Sequence, residues 1–339
     1  MDVPGRSHRA TIVAAAATAG TVSGLLAAAA AHGYFERRRL RMESAQTVAP
    51  IRLLKGPPQE PLGPVLPRSD WHKYPQWVFF GGDRGTGCQH PPLEADPLFH
   101  DIADPVLLPM VPPVGRTRGR GAAVVVPGGN FELLGSHEGE PVARWLAETL
   151  GIDAYVLRYR LLPLASHTDR LADLGQAVLE ARHRTGGGPV LAIGFSAGGY
   201  LVASGCANVT DEKDGRRPDA IALVYPCIDS TEWGDAATAG FWNTSVESPQ
   251  AKSCLEGKER LLPGPFFAAP PPTFIVSSTG DDICPPARHA DQYVKAAEDA
   301  GVPVTVLRGD LGSHGFGLQD FWAAPCIAWA EQLGFGRNQ

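Results

Sequence analysis

The chain has 339 residues, 44% of them hydrophobic and 19% charged, with a formal net charge of −6. That length suffices for one large core plus an extension, and the acidic balance argues against a nucleic-acid binder, for which a basic stripe is expected. No internal repeat, no phosphate-cradling G-x-x-x-x-G-K-[ST] run and no C-x-x-C pair is present, so nothing points to a solenoid, a P-loop or a thiolate metal site.

The first feature along the chain is the uncharged stretch Ala10 to Ala31, preceded by Arg6 and Arg9 and followed by Glu36-Arg37-Arg38-Arg39-Leu40-Arg41. As a helix it is long enough to span a bilayer, although half of it is alanine, which makes insertion marginal. A cleaved signal peptide ending at Ala29-Ala30-Ala31 and a transit peptide are the rival readings. The arginines that follow favour an anchor, so residues 1–52 are read as a membrane-associating segment with a basic flank. Residues 53–103 are rich in proline and glycine and form a linker or arm. Trp71, Tyr74, Trp77, Phe79 and Phe80 predict that part of this arm docks, either beside the pocket of the remainder, residues 104–339, or on a partner.

Within 104–339 short apolar runs alternate with amphipathic ones. Residues 121–126 predict a strand that leads into Pro127-Gly128-Gly129-Asn130-Phe131. A helix over 140–150, a strand over 153–160 and a helix over 169–184 follow, the last with Leu171, Leu174, Ala177, Val178 and Ala181 on one face. Residues 189–195 form a strand that turns at Gly194-Phe195-Ser196-Ala197-Gly198-Gly199 into a helix reaching about Ala207. A strand over 220–226 precedes an aperiodic insertion at about 228–271, which carries Trp233, Phe241, Trp242, Phe266 and Phe267 and serves as a lid, a pocket wall or a packed surface insertion. Strands over 272–278 and 304–308 end in Gly280-Asp281-Asp282-Ile283-Cys284-Pro285 and Gly312-Ser313-His314-Gly315-Phe316-Gly317. The alternation predicts an α/β fold, a mostly parallel twisted sheet with helices on both faces.

Three of these strand ends carry chemistry. G-x-S-x-G on a strand-to-helix elbow lifts the Ser196 hydroxyl over the sheet, and its glycines clear the strand–helix crossing. Carboxylates after a later strand lie on the ligand-binding edge of such a sheet. Asp281 is favoured as the orienting acid by its spacing to Pro285, with Asp282 as the rival. His314, in a glycine-flanked loop after the last strand, is placed to act as general base. Backbone amides of Gly129, Asn130 and Ala197 are the candidate oxyanion donors.

Taken together, PGGN, His137-Glu138-Gly139, Ala143-Arg144-Trp145-Leu146, Tyr159-Arg160-Leu161, GFSAGG, Val224-Tyr225-Pro226 and SHGFG resemble the acetyl-esterase/lipase branch of the α/β-hydrolases, and within it enzymes related to acetylxylan and feruloyl esterases. The resemblance covers about residues 104 to 334. It implies a serine esterase with Ser196 as nucleophile, His314 as base and Asp281 as acid, acting on a small-molecule ester without a cofactor or a metal. That branch usually has a third glycine where this chain has Asn130. An amidase, peptidase or lactonase on the same triad is the alternative chemistry, and a non-catalytic ligand-binding relative is the alternative class. Of the six cysteines, pairing of Cys227 with Cys254 or of Cys284 with Cys326 is expected only in an oxidising compartment.

Overall fold

The computed structural model describes residues 11–14, 46–47, 49–53, 65–66, 98–100, 102–113, 118–162, 164–208, 215–228 and 270–336. The main sheet contains β1 (Thr11–Ala14), β2 (Gln46–Thr47), β3 (Ile51–Arg52), β6 (Val106–Val111), β7 (Ala122–Val126), β9 (Asp153–Arg158), β10 (Val190–Phe195), β11 (Ala220–Val224), β12 (Thr273–Ser278) and β13 (Val304–Gly309). Its order is β1-β13-β12-β11-β10-β7-β9-β6-β2, with β3 also on β6. The six strands from β9 to β13 in that order are mutually parallel, and β6, β2, β3 and β1 add antiparallel edges. A small antiparallel sheet joins β4 (Val65–Leu66), β5 (Leu98–His100) and β8 (Leu133–Gly135).

The α-helices among the described residues are α1 (Glu140–Thr149), α2 (His167–Arg184), α3 (Ala197–Asn208), α4 (Ala290–Asp299) and α5 (Asp320–Gln332). They divide between the two faces of the sheet, and the alternation of each strand feeds both layers. Along β10, Leu191, Ile193 and Phe195 pack with α1 and α5, whereas Val190 and Ala192 pack with α2, α3 and α4. All six residues of β10 are buried, as its unbroken apolar run requires of a central parallel strand. Helix α2 begins two residues earlier than the periodicity predicts because Ser166 and Asp169 form a reciprocal capping box. Its inner face is less purely apolar than expected: Arg170 and Asp173 are buried beside Leu174 and Ala177, and Asp173 is paired with Arg160 at 2.7 Å.

The rest of the chain is described only in part. Thr11–Ala14, within the stretch read as a membrane-anchoring helix, pair as a strand with β13, Thr11 opposite Arg308. The other residues of Ala10 to Ala31 lie outside the described residues, and among the described residues no helix is long and apolar enough to cross a membrane. The arm at 53–103 and the insertion at 228–271 also lie mostly outside the described residues, as do their aromatic side chains.

Candidate active site

The parallel strands end along one edge, and the loops leaving β7, β10, β11, β12 and β13 build the site there. Ser196 follows β10 directly and opens α3 with φ of 49°, a left-handed conformation that a serine adopts only under constraint. Its amide donates to Val224 O at 3.1 Å, which ties the elbow to the end of β11. The following turn is so close to β7 that a Cβ on Gly198 would lie 2.1 Å from Val126 O, so no other residue fits there.

The structure brings Ser196, His314 and Asp281 into one buried line. His314 Nε2 lies 2.7 Å from Ser196 Oγ, and its Nδ1 lies 2.7 Å from Asp281 Oδ2. An ionised carboxylate only accepts, so Nδ1 carries the proton and Nε2 is free to accept from the serine hydroxyl. The other oxygen of Asp281 accepts the amides of Ile283 at 3.0 Å and Cys284 at 2.8 Å. Burial pushes the Asp281 carboxyl up, but the facing His314 and these hydrogen bonds outweigh it and hold the group below its usual range. Asp282 is exposed, and its neighbour rather than it faces the histidine.

The loop after β7 packs against the elbow. Gly129 has φ of 128°, and a Cβ there would lie 2.0 Å from Leu133 O. Asn130 and Phe131 continue in the left-handed region, with φ of 63° and 64°. Asparagine tolerates that region better than most residues, which explains how this chain keeps the turn without a third glycine. Among the described residues the backbone amides of Gly129 and Asn130 donate to no backbone acceptor, and Asn130 Nδ2 is buried without a hydrogen-bond partner. Ala197, the residue after the serine, is at the start of α3, where helix amides point outward unused.

The cysteines pair differently from either expectation. Cys227 is bonded to Cys284, with Cα atoms 5.6 Å apart, while Cys206 and Cys326 are free and buried. Cys254 and Cys88 lie outside the described residues. The bridge joins the loops after neighbouring strands β11 and β12. Its Cys227 sulfur is 3.6 Å from Ser196 Oγ, and Cys284 supplies one of the amides that hold Asp281. The two sulfurs and a His314 nitrogen lie within 4.8 Å of one another, but sulfurs joined in a disulfide are not thiolate ligands for a metal. The crosslink spans 57 residues, so loss of either cysteine is expected to lower stability by about 2 to 5 kcal/mol. Denaturant unfolding of Cys284→Ala beside the unaltered chain, with and without dithiothreitol, measures this. The reductant should weaken only the unaltered chain.

Two buried groups beside this line carried no role in the sequence reading. Glu138 and Tyr225 stand within the motifs His137-Glu138-Gly139 and Val224-Tyr225-Pro226, and they are joined by a hydrogen bond of 2.8 Å. A carboxylate next to Gly139, just before a helix, was the available signal.

Comparison with known proteins agrees with the fold. Residues 124–318 match the family described as alpha/beta hydrolase fold. An acetylxylan esterase of Xylanibacter ruminicola is 29% identical over 208 residues, covering 58% of this chain and 41% of that protein. An endo-1,4-beta-xylanase B of Butyrivibrio fibrisolvens is 29% identical over 212 residues, covering 58% of this chain and 32% of that protein. The chain therefore spans less than half the length of these curated relatives. Among solved structures, an acetyl ester-xyloside bifunctional hydrolase from Caldicellulosiruptor lactoaceticus superposes with a TM-score of 0.54 at 28% identity, covering 68% of this chain and 89% of that one.

Proposed function

The chain belongs to the alpha/beta hydrolase fold family, and from that premise we propose that it is a serine esterase that cleaves short-acyl carboxylic esters through an acyl-enzyme. The observation that carries this reading is the continuous hydrogen-bonded line from Ser196 through His314 to Asp281. Ser196 Oγ attacks the acyl carbonyl while His314 Nε2 takes its proton. Negative charge on the carbonyl oxygen is met by the amides of Ala197 and of Gly129 or Asn130, fixed before the reaction and so free of reorganisation cost. The imidazolium, stabilised by Asp281, returns the proton to the leaving alcohol. Water then attacks the acyl-Ser196 ester with His314 again as base, and the acid leaves. The residues named require no metal or organic cofactor.

Support for a short acyl group comes from the relatives, two of which are named for acetyl esters. The test is a series of p-nitrophenyl esters from acetyl to decanoyl, with acetanilide as an amide. The expected result is the highest kcat/KM at acetyl or propionyl, a fall of about tenfold or more by octanoyl, and much slower amide cleavage. A maximum at long chains would refute the short-acyl reading, and faster cleavage of the amide would favour an amidase.

A further inference from the structure

Glu138 is only 4% exposed, yet it makes no contact with Asp281 or Ser196 through hydrogen bonds among the described residues. It ends the short turn Ser136–Glu138 between β8 and α1. Its Oε2 accepts the amide of Gly128 at 2.6 Å, the residue that opens the loop Gly128-Gly129-Asn130. Its Oε1 accepts the hydroxyl of Tyr225 at 2.8 Å. Tyr225 in turn accepts the amide of Gly317 at 3.0 Å, three residues beyond His314. The Tyr225 ring meets the His314 ring edge to face, with centroids 5.0 Å apart. His137 Nε2 stands 3.7 Å from Glu138 Oε1.

Gly128 is wedged between the carboxylate and the nucleophile: a Cβ placed on it would be 2.7 Å from Ser196 Cβ and 2.9 Å from Glu138 Oε2. Tyr225 has φ of 37°, a strained position held by the hydrogen bond that its backbone amide donates to Val276 O at 2.8 Å. Burial and the adjacent Glu138 push its phenol well above the usual tyrosine range, so it stays a neutral donor. The amide of Gly128 is thus engaged by Glu138, which leaves Gly129 and Asn130 to face the oxyanion.

We propose that Glu138 is a positioning residue that, through Gly128 on one side and Tyr225 and Gly317 on the other, locks the oxyanion loop and the His314 loop in one register around Ser196. Only a carboxylate can accept both bonds at once. Glutamine offers one acceptor oxygen, so Glu138→Gln keeps the shape but leaves one buried donor unsatisfied. Tyr225→Phe cuts the link to the His314 loop and leaves the bond to Gly128 in place.

The proposal rests on the esterase reading, so labelling of Ser196 by a fluorophosphonate in the unaltered chain is measured in the same experiment. Absence of that label indicts the esterase reading itself. With the label present, the two substitutions are compared, singly and together, for kcat, KM and folded fraction. The expected result for Glu138→Gln is a fall in kcat of about 100-fold, since misplacing a preorganised donor acts on the transition state, with KM changed less than about threefold. Tyr225→Phe is expected to lose about tenfold in kcat, and the double variant to be no worse than Glu138→Gln, because both act along one chain of bonds. A purely structural role would lower the melting temperature and leave kcat per folded molecule unchanged, and that result overturns the proposal. Fully multiplicative effects, or a change confined to KM, overturn it too. If Glu138→Gln does not fold, Tyr225→Phe decides alone: unchanged kcat refutes the shared register, and a tenfold loss at constant KM supports it.

Discussion

Replacing Ser196 with alanine is expected to lower kcat for p-nitrophenyl acetate by about a millionfold while leaving the fold intact. The loss is large because nucleophile and base act as one unit: without Oγ, which lies 2.7 Å from His314 Nε2, that nitrogen has no group to activate. The fold should survive because alanine at φ of 49° is strained no more than serine, and the backbone bond from residue 196 to Val224 does not involve the side chain. A residual rate above that of water, about a thousandfold, would remain from the oxyanion amides and substrate binding. Steady-state kinetics beside circular dichroism and thermal unfolding measure both halves of the expectation. Unfolding of the variant at a much lower temperature would show that the elbow needs the hydroxyl for its structure.

Asp281→Asn is expected to cost about 10,000-fold in kcat, and Asp282→Asn little. Asparagine at 281 can still accept the amides of Ile283 and Cys284 through its carbonyl oxygen, so the loop stays closed. Its amide nitrogen then faces His314 Nδ1 as a donor, which forces the ring proton to Nε2, opposite the serine, where a base is needed. The exposed Asp282 has no comparable role, and surface substitutions of this kind rarely matter. The same substitution carries a pH signature. The Asp281 carboxyl lies below its usual range in the fold, so its contribution to stability is present at neutral pH and fades as the pH falls through that lowered value. The stability advantage of the unaltered chain over Asp281→Asn should shrink accordingly in denaturant unfolding run at decreasing pH.

The parallel strands were legible because burial on both faces leaves a plain mark, as in Val190-Leu191-Ala192-Ile193. Strand β6 escaped because Pro109 stands inside it, and proline argues against a strand. There it lies opposite Tyr155 in an antiparallel pair with β9. Helix α5 escaped for a related reason. Pro325 falls within it, and Trp322, Cys326, Ile327 and Ala330 bury so much of its surface that no polar face marks its period.

At the site, Ser196 and His314 could be read from glycine-flanked loops after apolar runs. The choice between Asp281 and Asp282 could not, since adjacent residues after a strand point apart and only the turn through Ile283 and Cys284 decides which faces inward. The partner of Cys227 was hidden in the same way. It is 57 residues distant in sequence and becomes a neighbour only because β11 and β12 pair in parallel, Val224 opposite Val276. Glu138 gave no periodic signal at all, because its contacts with Gly128 and Tyr225 come from three separate loops.

Whether Ser196 is the activated nucleophile of an esterase is decided by treating the full chain with a fluorophosphonate and mapping the adduct by peptide mass spectrometry. One adduct per molecule is expected, on the peptide carrying Gly194-Phe195-Ser196-Ala197-Gly198, with ester hydrolysis lost in proportion to labelling. Ester hydrolysis that persists with Ser196 fully modified, or an adduct on a different residue that accounts for the loss, would contradict it.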